Sequence, residues 1–161
     1  MKAWKRMPLL VAVAALALVA EIPALAQVDK IAVRTHGLSC GDCAMVSEVY
    51  LKRLPAIDQV KISMSQELIV VTLKPNALFD AFEIRDALDR TEVDVLQFQI
   101  SARGRVQDVA GKKIFVAGKN KFVLATSPIK VPSDAPITIE GIVNDKPDPM
   151  ELKPLNVKPL P

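Results

Sequence analysis

Between residues 27 and 103 the apolar residues change period in a fixed order, and that order restricts the chain to few folds. Residues 28–36 alternate around Val28, Lys30, Ile31, Val33 and Arg34, which predicts a strand. Residues 42–54 then place Val46, Val49, Tyr50, Leu51 and Leu54 at helical spacings, and Pro55 stops the run. Ser39 with Asp42 resembles a capping box at its start, although Asp42 is itself an acceptable N-cap. Residues 59–65 alternate, residues 67–73 are rich in Ile and Val, and the short Ser65-Gln66 link makes a hairpin. A break at Lys74-Pro75-Asn76 precedes a second helix over 77–90, with Leu78, Ala81, Phe82, Arg85 and Leu88 on one side. A fourth strand follows over 92–100. The expected class is α+β, a βαββαβ ferredoxin-like unit whose right-handed crossovers put both helices on one sheet face.

After Arg103-Gly104 no helical period appears. Short β-type runs at 105–109, 113–117, 121–125, 137–143 and 151–157 alternate with turn residues such as Gly118-Lys119-Asn120 and Lys146-Pro147-Asp148-Pro149. The expected organisation is a leader over 1–26, the ferredoxin-like unit over 27–103 and a small all-β unit over 104–161. The charge splits the same way: residues 27–103 carry 9 basic and 11 acidic side chains, residues 104–161 carry 9 and 6.

The leader has the parts of a cleavable export signal. Lys2, Lys5 and Arg6 precede an apolar run from Leu9 to Ala20, and Ala24-Leu25-Ala26 stands ahead of Gln27. The run is about a dozen residues, short for a bilayer span. Export to a bacterial periplasm is the expectation, with no stable membrane insertion after cleavage. Without residues 1–26 the charge count falls from 21 basic and 18 acidic to 18 and 17. A net charge of +1 makes no general electrostatic case for nucleic acid or an anionic membrane.

The chain's two cysteines share one tetrapeptide, Cys40-Gly41-Asp42-Cys43, at the predicted strand-to-helix turn. Free N–H groups and the positive dipole end of a helix favour thiolate over thiol there. Such a pair grips a soft metal ion or cycles between dithiol and disulfide. As a structural staple it does less, because a bridge closing so short a loop stabilises by roughly 2 kcal/mol. Zinc wants four ligands, and only His36 stands near the cysteines in sequence. His36 is a candidate third ligand or, more simply, a polar residue at a strand end. Met45 reads as a core residue of the first helix, and Met64 and Met150 form no cluster in sequence.

These residues, Gly37-Leu38-Ser39-Cys40-Gly41-Asp42-Cys43 and then Leu54-Pro55-Ala56-Ile57-Asp58-Gln59-Val60-Lys61-Ile62, resemble the heavy-metal-associated domain of copper chaperones, copper-pump N-termini and periplasmic mercury-binding proteins. The resemblance covers residues 28–101. It implies that Cys40 and Cys43 bind one Cu(I), or Hg(II), at the exposed end of the fold. It also implies a metal-donor or acceptor protein or a membrane transporter as partner, a metal-bridged dimer as a further arrangement, and no enzymatic activity. Two departures stand out. The family's Met two residues before the first cysteine is Leu38 here, a tolerable volume match for a packing residue. The loop Asp89-Arg90-Thr91-Glu92 lacks the Gly-Tyr or Lys that often faces the metal in that family, and Asp42 adds negative charge between the cysteines.

The second unit looks like the later strands of a small OB-like barrel in some exported bacterial proteins, notably over 121–125, 137–143 and 151–157. That fold often binds oligonucleotides on aromatic platforms flanked by basic residues. Here Phe115 and Phe122 alternate as core residues, and Lys112, Lys113, Lys119 and Lys121 read as protection of exposed strand edges. No nucleic-acid role is expected, and a docking role suits the unit better. Two alternatives to metal handling remain from the residues alone: a thiol–disulfide redox protein using the same CxxC, and a structural or interaction module whose CxxC is simply oxidised. A single histidine excludes most His-based catalytic sets, and the carboxylates Asp80, Glu83, Asp86 and Asp89 read as a solvated helix face.

Overall fold

The computed structural model describes residues 26–133 and 135–160. The expected leader, apart from Ala26, lies outside the described residues. Among them no helix is long and apolar enough to cross a membrane.

The first unit runs β1 (Gln27–His36), α1 (Gly41–Lys52), β2 (Ile57–Ser63), a 3-10 turn (Met64–Gln66), β3 (Leu68–Leu73), α2 (Ala81–Asp89) and β4 (Asp94–Val109). Its strands lie side by side as β2-β3-β1-β4, all antiparallel. This is the expected ferredoxin-like arrangement. The alternation in β1 and β3 buries Ile31, Val33, Ile69 and Val71 against Leu51 of α1 and Ile84 and Leu88 of α2.

α2 begins four residues later than its apolar spacing predicts. Asp80 caps it, its Oδ1 accepting from the amides of Phe82 (2.9 Å) and Glu83 (3.1 Å). The residues before it are pulled out of helical geometry by Asn120, whose Oδ1 accepts from the Phe79 amide at 2.8 Å and whose Nδ2 donates to the Ala117 carbonyl at 3.2 Å. A buried amide from another element outweighs local helix preference.

The remaining strands are β5 (Lys112–Ala117), β6 (Asn120–Leu124), β7 (Ile137–Asn144) and β8 (Glu151–Pro159). They close a ring, β4-β5-β6-β8-β7 and back to β4, in which only β6 and β8 are parallel. Phe115, Phe122, Ile137, Ile139 and Leu152 are fully buried within it. The two phenylalanines are core, as their alternation predicts. The lysines around them are exposed: Lys112 and Lys113 lie on β5 ahead of its pairing with β6, which begins at Ile114, and Lys121 lies on β6 ahead of its pairing with β8, which begins at Val123.

A break at Arg103-Gly104 is expected from the sequence, but β4 runs through it as one strand of 16 residues. Residues 94–103 pair with β1 along one edge, residues 105–109 continue along β5, and residues 98–104 pair with β7 on the other edge. Gly104 is a point of close approach rather than a turn: a Cβ there would run into the Val116 carbonyl oxygen.

One apolar cluster joins both units. Phe79, just ahead of α2, stacks edge-on against Phe98 of β4 (centroids 5.5 Å apart) and lies 6.4 Å from Phe122 of the ring. Above it Arg85 makes a two-pronged pair with Asp145 (2.6 and 3.0 Å), donates to the Val95 carbonyl at 2.8 Å and lies over the Phe98 ring. The Arg85 guanidinium holds the Asp145 carboxyl below the usual carboxylate range. Arg103 and Asp29 form a second two-pronged pair at 2.8 and 2.7 Å between β4 and the irregular start of β1.

Candidate metal centre

The CxxC loop is built where β1 ends. Gly37 leaves the strand with φ 92°, and a Cβ at that position would meet the Glu92 carbonyl oxygen at 2.9 Å, so this turn needs glycine. Leu38 is fully buried and anchors the loop from below, the packing role expected of it. Cys40 follows with extended backbone and is the N-cap of α1, in place of Ser39 or Asp42. Its Sγ accepts from the Cys43 amide at 3.0 Å, and its carbonyl accepts from the Ala44 amide at 3.0 Å. The sulfur therefore takes the capping position usually filled by a side-chain oxygen. In the reduced form that N–H, with the helix dipole behind it, favours the Cys40 thiolate.

Cys40 and Cys43 are joined as a disulfide, with their Cα atoms 5.2 Å apart. Cys40 is exposed and Cys43 half-buried, so the pair is open to solvent and to a partner. His36 is mostly exposed (side chain 73%) and faces Glu67, Nδ1 to Oε2 3.9 Å. Among the described residues no three or more His, Cys, Asp and Glu side chains gather as a metal cage.

Met45 is 59% exposed, against the core role its position predicts. With Val46 and Val49 it forms an apolar stripe on the outer side of α1, while Ser47 and Leu51 face inward. Ser47 Oγ lies 2.9 Å from Thr91 Oγ1. Because Thr91 donates its own proton to the Leu88 carbonyl at 2.7 Å, Ser47 is the donor. The loop 89–92 therefore ties α2 to α1 where a metal-facing Tyr or Lys is absent. Exposed Asp89 and Glu83 lie on the solvated face read for them, Asp80 is consumed as a cap, and Asp86 pairs with Arg90.

One residue of this site carries no signal in the sequence. Glu67, at the end of the β2–β3 turn, reaches back about thirty positions to the CxxC loop: its Oε1 accepts from the Gly37 amide at 3.0 Å, and its carbonyl from the Thr35 amide at 2.9 Å. Only the antiparallel pairing of β1 and β3 brings the two together.

No family model and no curated protein matches the chain. Among solved structures it is similar to the CopZ metallochaperone, with 18% identity over 42% of this chain and 98% of that one and a TM-score of 0.39. A copper-binding domain of the P-type ATPase HMA7 gives 20% identity over 42% and 93%, with a TM-score of 0.37. The yeast copper transporter domain CCC2A gives 19% over 42% and 90%, with a TM-score of 0.38. These neighbours are copper-binding domains, the class that the sequence resembles.

Proposed function

We propose that this chain is an exported soft-metal carrier. In its reduced form Cys40 and Cys43 hold one thiophilic ion, Cu(I) first and Hg(II) second, for transfer to or from a partner protein or a membrane transporter. The observation that carries the reading is an exposed, adjacent pair of sulfurs at the start of α1, with an amide already donated to one of them. Thiolates select soft ions, and Cu(I) and Hg(II) accept two sulfur ligands without demanding the four that zinc needs. Two ligands also leave the ion open to capture by a partner's thiolates or by a second copy of this chain. The leader over 1–26 supports a periplasmic location. The ring of β4 to β8 is read as an OB-like barrel on its strand order and its parallel β6–β8 pair. Its role in this reading is docking.

The test is an anaerobic Cu(I) titration of the reduced protein against a competing chelator, with Cys40→Ser/Cys43→Ser as control. One ion held per monomer or dimer and lost in the double variant is expected. Cysteine-independent binding, or none, sinks the reading.

The disulfide favours a second reading, a thiol–disulfide redox protein. The Cys40 thiolate attacks a substrate disulfide and expels one substrate sulfur as thiolate. Cys43 then attacks Cys40 in the mixed disulfide and releases the second. A strongly oxidising potential together with no Cu(I) binding selects this alternative.

A further inference from the structure

The three residues that lead from β1 into the CxxC loop, Thr35, His36 and Gly37, all meet a single residue of the β2–β3 turn. The Glu67 carbonyl accepts from both the amide and the hydroxyl of buried Thr35, at 2.9 and 2.8 Å. Its Oε1 accepts from the Gly37 amide at 3.0 Å, and its Oε2 lies 3.9 Å from His36 Nδ1. Glu67 itself adopts a left-handed backbone, φ 46°, which no β-branched or bulky residue takes without strain. The cost is accepted where an i+3 bond from its amide to the Met64 carbonyl (3.2 Å) and the ties to β1 fix it in place.

We infer that Glu67 is the positioning residue of the dithiol: it clamps the strand-to-loop junction so that Cys40 and Cys43 are presented together at the end of the fold. The inference rests on the proposed chemistry of that pair, but it applies to metal binding and disulfide formation alike. Gly37 lies beyond the last β1–β4 pair, His36 with Asp94, and among the described residues the Glu67 carboxylate is the acceptor its amide finds. Gly37 also has the freest backbone in the segment and sits three residues before Cys40. With the amide bonded and Leu38 buried, the loop is held at two successive residues and the sulfurs meet without first having to order it. Preorganisation of this kind raises both ion affinity and the local concentration of one thiol at the other.

The side chain and the backbone of Glu67 do separable work, which makes the clamp testable. Glu67→Ala removes the tie to Gly37 and the contact with His36 while leaving the backbone ties to Thr35. Glu67→Gln keeps an oxygen that accepts from the Gly37 amide while removing the charge. Thr35→Val breaks the hydroxyl tie on the sheet side and leaves the loop side intact. Each variant of the exported chain is measured in two ways: reduced, by Cu(I) competition, and metal-free, by a glutathione redox titration of Cys40–Cys43. Glu67→Ala is expected to weaken Cu(I) binding about tenfold, the lower end for residues that orient a metal ligand. It is also expected to disfavour the disulfide about tenfold, equivalent to about 30 mV for a two-electron couple. Glu67→Gln restores both values, and Thr35→Val lowers the melting temperature without moving either. Unchanged Cu(I) affinity and potential in Glu67→Ala overturn the inference, and so does an equal loss in Glu67→Gln, which would assign the effect to charge. If the parent protein binds no Cu(I) through its cysteines, the metal reading fails and the redox titration alone decides the role of Glu67.

Discussion

Strand β1 borders two different environments. At His36 it opens into the CxxC loop, where cysteines, Met45 and Val46 are partly or largely exposed and the anchoring is by single hydrogen bonds to Glu67 and by one buried leucine. Alongside it runs a seam of buried aromatics and two-pronged ion pairs where the first unit meets the ring: Arg103–Asp29 near Gln27, Phe98 opposite Val33, and Arg85, paired with Asp145, on the Val95 carbonyl opposite Thr35. The loop is held only as firmly as needed to keep two sulfurs side by side and reachable. The seam is held against movement. Stability and chemistry are therefore carried by different residues, the seam along the flank of β1 and the loop beyond its end, and substitutions separate them.

The largest expected effect is in the seam. Phe122→Ala empties a fully buried site and costs about 3–5 kcal/mol in chemical denaturation. In the fraction that remains folded, the Cys40–Cys43 potential stays at its parent value; a shift in that potential would break the separation of seam and loop. Gly104→Ala comes next, at about 3 kcal/mol, because the added carbon meets a backbone carbonyl that is fixed by strand pairing.

Arg85→Ala follows, at about 2 kcal/mol, since it strips charge-assisted bonds from Asp145 and from the Val95 carbonyl. This pair also has a pH signature. Asp145 titrates lower folded than its unfolded value of 3.8, so its contribution is complete above about pH 4 and is lost as pH falls through the folded value. Denaturation midpoints recorded from pH 6 down to pH 2 fall less steeply in Arg85→Ala than in the parent protein. Parallel slopes would show that the ion pair does not couple the seam to pH. The smallest effect is Met45→Ala, within about 0.5 kcal/mol in stability, because the side chain is mostly in solvent. Cu(I) affinity is retained in that variant, and a loss would make the α1 stripe part of the site.

The elements of the first unit were legible because strand and helix periods are local properties, and the CxxC was legible because both cysteines fall within one turn. The misreadings have two causes. The start of α2 is decided by Asn120, an amide some forty residues away. Gly104 carries the residue type of a turn but serves close packing across a ring that nothing local announces, since its parallel closure rests on Val123 with Glu151 and Leu124 with Leu152. Met45 shares the helical spacing of core residues and is exposed because Ser47 and Leu51 take the inner face instead. Glu67 reads as the first residue of a strand, and nothing marks its ties to Thr35 and Gly37 until β3 is paired with β1. Contacts between residues far apart in sequence account for the start of α2, Gly104 and Glu67, and the choice of inner face of α1 accounts for Met45.

The unbroken β4 has a mechanical consequence. Its first residue pairs with His36 beside the dithiol loop, and its last lies at the far rim of the ring. At about 3.3 Å per residue its 16 residues reach up to about 50 Å, less whatever twist takes up. With β1, β5 and β7 bonded along its edges there is no swivel between the two ends. The continuous strand thereby fixes the height at which the sulfurs stand above the far rim of the ring, as a jig sets the distance of a tool from its bench.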